Sequence, residues 1–214
     1  MQVCLASTSP ARLMLLRQVG IEPITRAPET DEDAVAAAAA AERGGRLPPA
    51  DMVLLLARAK AADVAERLVT QHPDFDGIVI GGDSMFALDG RVYGKPYTAE
   101  EATRRWRDEM RGATGILHSG HSVFRLTPGS APVEATAVAE ASVTFAADVT
   151  DAEIDAYVAS GEPLHVAGAF TVDSLGGAFI TRVEGDPSTV VGMSVSTLRS
   201  LTRELGVAWT DLWS

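Results

Sequence analysis

Apolar and polar positions alternate along this chain in three distinct rhythms. Two short continuous apolar runs, MQVCLAS and GIVIGGD, each read as a buried strand. The first feeds the polar loop Ser7-Thr8-Ser9, and the second predicts a strand that ends just before Asp83. Helical spacing follows in SPARLMLLRQVG, where Ser9 is an N-cap, Pro10 occupies N1 and Gly20 stops the helix. Its apolar stripe is Leu13, Leu16 and Val19. ADMVLLLARAKAADVAERLV predicts a long helix with Lys60 near its middle. Strict alternation appears in FALDGRVY, where Asp89-Gly90 signals a hairpin. Thr98 with Glu101, and Thr150 with Glu153, have capping-box spacing and predict two more helices, the second over 150–160. Between them lie β-type stretches at about 114–127 and 133–147, divided by TPGSAP. Shorter strands are expected after SGEP, then a last helix near 194–205. Strands, helices and hairpins in this mixture predict an α/β (α+β) fold, a mixed twisted sheet with flanking helices. Residues 34–49, rich in Ala, Gly and Pro, read as a variable insertion without chemistry.

Composition narrows the function classes. The 214 residues fit one domain, with room for two lobes. A net charge of −11 argues against general nucleic-acid binding but leaves room for a nucleotide in a local basic pocket. Cys4 is the single cysteine, which excludes an internal disulfide and a cysteine-based metal site. The N-terminal residues lack the charge and apolar length of a secretion signal, and no run of apolar residues is long enough to span a membrane. A cytoplasmic location is the default expectation. Of the 18 Lys and Arg residues only Lys60 and Lys95 are lysine.

Candidate chemistry starts at ASTSPAR. A strand, a hydroxyl-rich loop and a helix N-terminus carrying Arg12 together make an anion site, since free N–H groups, the helix dipole and a guanidinium all favour phosphate oxygens. No P-loop or G-x-G-x-x-G pattern is present. Asp83, at an apolar strand end, suits a catalytic base or metal ligand, and equally a turn aspartate. Asp31, Glu32 and Asp33 form an acidic run. Mg²⁺ chemistry takes one or two carboxylates plus substrate phosphates. His118 and His121, three apart in a strand, face opposite sides and make a poor metal pair.

Taken in order, LASTSPAR, ETDED, LARAKA, GGDSMFALDGRVYGKP, YVASGEPLHVAGAF and VEGDPSTVVGMSV resemble the motifs of the Maf family of nucleoside triphosphate pyrophosphatases. The resemblance covers nearly the whole chain. It implies two lobes around a deep cleft, a fold related to inosine triphosphate pyrophosphatases, and hydrolysis of a nucleoside triphosphate to monophosphate and pyrophosphate. It also implies a divalent cation, Mg²⁺ or Mn²⁺, and a homodimer. The alternative is a nucleotide-binding regulator of cell division or septum formation with little turnover.

Carried over from the family motifs, Ser7, Ser9 and Arg12 match the phosphate-binding loop, and Lys60 and Lys95 match two further substrate-binding lysines. Asp83 matches the proposed proton acceptor and Glu32 an acidic position near the active site; Glu32 and Asp83 are expected to help hold the metal. Ala11, Ser84 and Asp173 fall at positions that set base selectivity. The chain departs from the commonest pattern: Ala11 stands where arginine is frequent, Gly115 where histidine is frequent, and HVAG (His165 to Gly168) where DKAG is common. Ala11 cannot donate to a base carbonyl, and an ionised Asp173 only accepts hydrogen bonds. Strict selectivity for dTTP and UTP is therefore expected to be absent.

Overall fold

The computed structural model describes residues 1–214, which form two compact units. The first comprises Met1–Asp83, Ser119–Ala139 and Gly192–Ser214; the second comprises Ser84–His118 and Glu140–Val191.

The first unit opens with β1 (Gln2–Ala6), α1 (Pro10–Gln18), β2 (Ile24–Thr25), α2 (Glu32–Arg43) and α3 (Pro49–Gln71), and then enters β3 (Gly77–Leu88). β1 pairs in parallel with β2 and with β3, Val3 opposite Ile78 and Leu5 opposite Ile80. Parallel strands are covered on both faces, so both runs read as continuously apolar. α3 buries Val53, Leu56, Ala57, Lys60, Ala61, Val64, Ala65 and Leu68, a stripe at three- and four-residue spacing. Lys60 is the one charged member of that stripe. Two glycines let α3 lie directly on strand backbone. A Cβ on Gly81 would sit 2.6 Å from the Ala57 carbonyl oxygen, and one on Gly120 only 2.2 Å from that of Val53.

The second unit continues β3 into β4 (Arg91–Tyr93), followed by α4 (Ala99–Arg105), which widens into a π-helical turn over Trp106–Met110. β5 (Thr114–Leu126) and β6 (Val133–Phe145) come next, of which only residues 114–118 and 140–145 belong to this unit, then α5 (Asp151–Ala159), β7 (Ile180–Gly185) and α6 (Pro187–Val191). The last helix, α7 (Val195–Glu204), belongs to the first unit. Strands hydrogen-bond in the order β2-β1-β3-β5-β6-β7, with β4 antiparallel on β3 and β7 antiparallel on β6. The fold is mixed α/β with a mixed sheet, as expected. Phe86, Trp106, Phe145 and Phe170 fill the core of the second unit, and the buried Trp106 Nε1 donates to the Ala169 carbonyl at 2.8 Å.

Local signals were obeyed unevenly. The hairpin turns at Asp89 (φ 48°) and Gly90 (φ 76°), both left-handed as a two-residue type I′ turn requires. The Thr150–Glu153 capping box forms in full. At Thr98 only half of it forms: the hydroxyl accepts from the Glu101 N–H, while the Glu101 carboxylate is taken by Arg104 and Arg105. α1 turns Leu15 and Leu16 inward, whereas Leu13 is half-buried and Val19 caps the helix. Two expectations fail. Asp83 does not lie past a strand end; β3 runs on through it to Leu88, because Gly81 and Gly82 are extended strand residues rather than turn residues. The segment after SGEP contains short 3-10 turns over 162–165, 167–169 and 175–179, and only β7 as a strand. Gly161 and Gly168 adopt left-handed φ there (79° and 76°), which breaks any extended run.

Candidate active site

β1 delivers the chain into the serine loop, and Ser9 caps α1. The Ser9 N–H donates to Ser7 Oγ at 3.1 Å, and the Arg12 N–H reaches Ser9 Oγ at 3.5 Å. Arg12 folds back over this loop. Its Nη1 donates to Ser7 Oγ (3.4 Å) and its Nε to the Gly192 carbonyl (2.9 Å). A Cβ on Gly82 would lie 3.3 Å from that Nε, so the guanidinium rests against the β3 backbone beside Asp83.

α3 brings the second cation to the same strand. Lys60 Nζ donates to Asp83 Oδ1 at 2.8 Å and lies 2.8 Å from Glu32 Oε2. Lys60 and Asp83 are 7% and 9% exposed, while Glu32 is half-exposed at the first position of α2. Burial raises the Asp83 carboxyl above the ordinary aspartate value and outweighs the opposing pull of Lys60 and Arg12; Glu32 adds to the rise. Burial also lowers the Arg12 guanidinium, and Asp83 and Glu32 partly offset this. The result is a compact group of two cations and two carboxylates bordered by hydroxyls.

Glu32 reaches Lys60 because the segment before it is tied down. Asp31 caps α2 by accepting from the Ala34 N–H at 2.9 Å. Asp63 accepts from the Glu29 N–H (2.8 Å), Arg67 donates to the Ala27 carbonyl (2.7 Å), and the two pair with each other at 2.7 Å. Asp63 and Arg67 escaped the sequence reading. Their only signal is spacing: they lie three and seven residues beyond Lys60 on one face of α3.

Six of the sequence candidates thus meet in the first unit: Ser7, Ser9, Arg12, Glu32, Lys60 and Asp83. Ala11 sits half-buried in the first turn of α1. The other three belong to the second unit. Ser84 is half-buried in β3, Lys95 is exposed between β4 and α4, and Asp173 is exposed in a bend. The histidines of β5 are engaged elsewhere. His118 Nδ1 lies 3.0 Å from Glu140 Oε1, and His121 Nε2 accepts from the Ser194 N–H at 2.8 Å. No group of three or more His, Cys, Asp or Glu side chains is placed to hold a metal.

The Maf-like protein family matches residues 2–205. A nucleoside triphosphate pyrophosphatase of Leifsonia xyli subsp. xyli is 60% identical over 216 residues, covering 100% of this chain and 97% of that protein. One from Nocardia farcinica is 48% identical, covering 98% and 95%. Among solved structures, a nucleoside-triphosphatase (dITP/XTP pyrophosphatase) of Mycobacterium abscessus overlaps 70% of this chain and 76% of its own, at 16% identity and a TM-score of 0.31, too slight a likeness to add weight. The serine loop, Glu32, Lys60 and Asp83 all lie within the matched span, and the chain belongs to the Maf-like protein family.

Proposed function

We propose that this protein is a nucleoside triphosphate pyrophosphatase, hydrolysing a triphosphate to monophosphate and pyrophosphate with the Arg12, Glu32, Lys60 and Asp83 group as its chemical centre. The observation that carries the reading is the buried Lys60 ammonium held between Glu32 and Asp83 beside a serine-lined helix N-terminus. Buried charge of this kind is costly to maintain, and a strand carboxylate raised by burial beside two cations marks a functional candidate.

Water attacks the α-phosphorus, and the bond from that phosphorus to the bridging oxygen of pyrophosphate breaks. Asp83 accepts the proton of the attacking water. Its raised basicity suits this role better than that of a solvated aspartate. Ser7, Ser9, Arg12 and Lys60 hold phosphate oxygens and offset the charge that builds on the leaving pyrophosphate, as does Lys95. The donor set suits a divalent cation in its chemistry: Glu32 and Asp83, brought near each other by their shared contact with Lys60, are hard oxygen donors, and phosphate oxygens and water would supply the remaining ligands of Mg²⁺. Glu32 and Asp83 would hold Mg²⁺ or Mn²⁺, which when bound neutralises phosphate charge and activates water.

Base choice is assigned to Ala11, Ser84 and Asp173. Acceptor-only Asp173 pairs with an amino or ring N–H group and meets the carbonyl edge of uracil or thymine unfavourably. Triphosphate use is therefore broad or shifted away from dTTP and UTP. The reading includes a homodimer in the cytoplasm. No helix of the structure is long and apolar enough to cross a membrane. Purified protein given Mg²⁺ and UTP, dTTP, CTP or GTP should release pyrophosphate and monophosphate. Release of orthophosphate instead, or nucleotide binding without turnover, would overturn the proposal, and the latter would favour a regulatory role.

A further inference from the structure

One half-buried carboxylate outside the centre just described collects an unusual number of donors. Glu162, in the 3-10 turn after Gly161, accepts from five groups of the second unit. Its Oε1 takes the Tyr157 hydroxyl (3.1 Å), the Thr171 hydroxyl and the Gly176 N–H (3.0 Å). Its Oε2 takes the Ser174 hydroxyl (2.7 Å) and the Leu175 N–H (3.2 Å). Tyr157 Oη in turn accepts from the Thr171 N–H at 3.2 Å. The loop is drawn tight: a Cβ on Gly176 would lie 2.5 Å from that same hydroxyl and 2.6 Å from the Thr171 carbonyl oxygen. Burial alone would raise the Glu162 carboxyl, yet the donors, Thr171 and Ser174 foremost, hold it at about 2, so it is an anion wherever the enzyme works.

These tethers attach residue 171 on one side of Asp173 and residues 174, 175 and 176 on the other. Asp173 stands between them, exposed to solvent. We propose that Glu162 is a positioning residue for base recognition, its carboxylate fixing the 171–176 loop so that Asp173 is presented to the nucleobase in one orientation. The proposal rests on the assignment of Asp173 to base selection made above.

The chemistry of the contacts supplies a sharp variant. Each carboxylate oxygen faces a backbone N–H, Gly176 on Oε1 and Leu175 on Oε2, and a backbone N–H can only donate. Glu162→Gln must therefore set its amide NH₂ against one of them, whichever way the amide turns. Ser174→Ala removes one tether at an exposed position and keeps the rest.

The test measures kcat and KM for GTP and UTP, together with competitive inhibition by inorganic tripolyphosphate, which carries no base. Glu162→Gln should shift the GTP-to-UTP ratio of kcat/KM by about tenfold, chiefly through KM. Tripolyphosphate inhibition should stay within about twofold of the parent. Ser174→Ala should shift the ratio in the same direction by less. Asp173→Ala should move the ratio too, and adding Glu162→Gln to it should change nothing more. Should Glu162→Gln lose its folded circular dichroism, Ser174→Ala decides alone. An unchanged ratio in the folded Glu162 and Ser174 variants, with Asp173→Ala shifting it, overturns the proposal and leaves the Asp173 assignment standing. Tripolyphosphate inhibition weakening in step with KM overturns it as well, since that marks general damage. If Asp173→Ala leaves the ratio untouched, the Asp173 assignment fails and the proposal falls with it.

Discussion

Asp83 is a carboxylate whose basicity is set by its burial more than by its partners. Desolvation raises it, and Lys60 and Arg12 restrain that rise without cancelling it. As pH falls through this raised value the base becomes protonated and turnover is lost. The acid limb of kcat/KM, which reports the free enzyme, should thus lie above the value of about 3.9 for a solvated aspartate. Asp83→Asn should lower kcat by about 10²-fold or more and remove that limb, while a nonhydrolysable triphosphate still binds. Near-parental turnover in the variant would exclude Asp83 as the proton acceptor. Asp83 and Lys60 could both be singled out beforehand, one for its place beside an apolar run, the other for its rarity and its place inside a helical stripe. Asp63 and Arg67 could not. On a long helix, charges at such spacing look like an ordinary solvated face, and only the fold shows the 27–30 segment hanging from them.

Elements meet here through missing side chains. α3 lies so close to β5 that a methyl group on Gly120 would overlap the Val53 carbonyl, 2.2 Å away, with backbone on both sides of the clash. Gly120→Ala must push the helix outward, at a cost of about 1–3 kcal/mol for overpacking, and must displace the helix carrying Lys60. The variant should unfold at lower urea with an unchanged m-value and lose activity disproportionately. Parental stability would mean that α3 yields more freely than its contacts suggest. The same glycines explain why one element was misjudged. Gly81-Gly82 before an aspartate reads as a turn, because glycine most often serves backbone freedom. Here Gly81 serves close approach, its backbone stays extended, and β3 continues through Asp83. The helices and the two long strands were legible because their periodicity spans many residues. The 162–179 region was not, since its order comes from five donors converging on Glu162, an arrangement with no periodic trace.

For the molecule as a whole, the carboxylates that outnumber its cations also govern its response to acid. Glu101, held by hydrogen bonds from Arg104 and then Arg105, and Glu162, held by its donors against burial, both titrate at about 2 in the folded chain. Both lie below the unfolded glutamate value of about 4.3. Their contribution to stability is thus complete above that value and is lost as pH falls toward 2. Glu101 is partly solvated and its share is small. The share of the thermal midpoint set by these two groups should be level from neutral pH to about 5 and decline below about 4, whereas Asp83, raised by burial, contributes with the opposite sign. In Glu162→Gln the starting midpoint should be lower and the decline shallower. A decline as steep as the parent's would show that Glu162 takes no part in it.

The scarcity of lysine has a practical side. Lys60 is enclosed by two carboxylates at 2.8 Å, whereas Lys95 stands in solvent. On the folded chain, amine-directed coupling therefore has a single side chain to find. Biotinylation, a fluorescent ester or capture on an activated sensor surface would each attach at Lys95, apart from reaction at the terminal amine. A nucleotide affinity read from protein immobilised in this way would be measured with one of its proposed phosphate contacts already consumed by the linkage. Arginine, which carries most of the positive charge here, is invisible to the same reagents, so a tag at either terminus is the sounder handle.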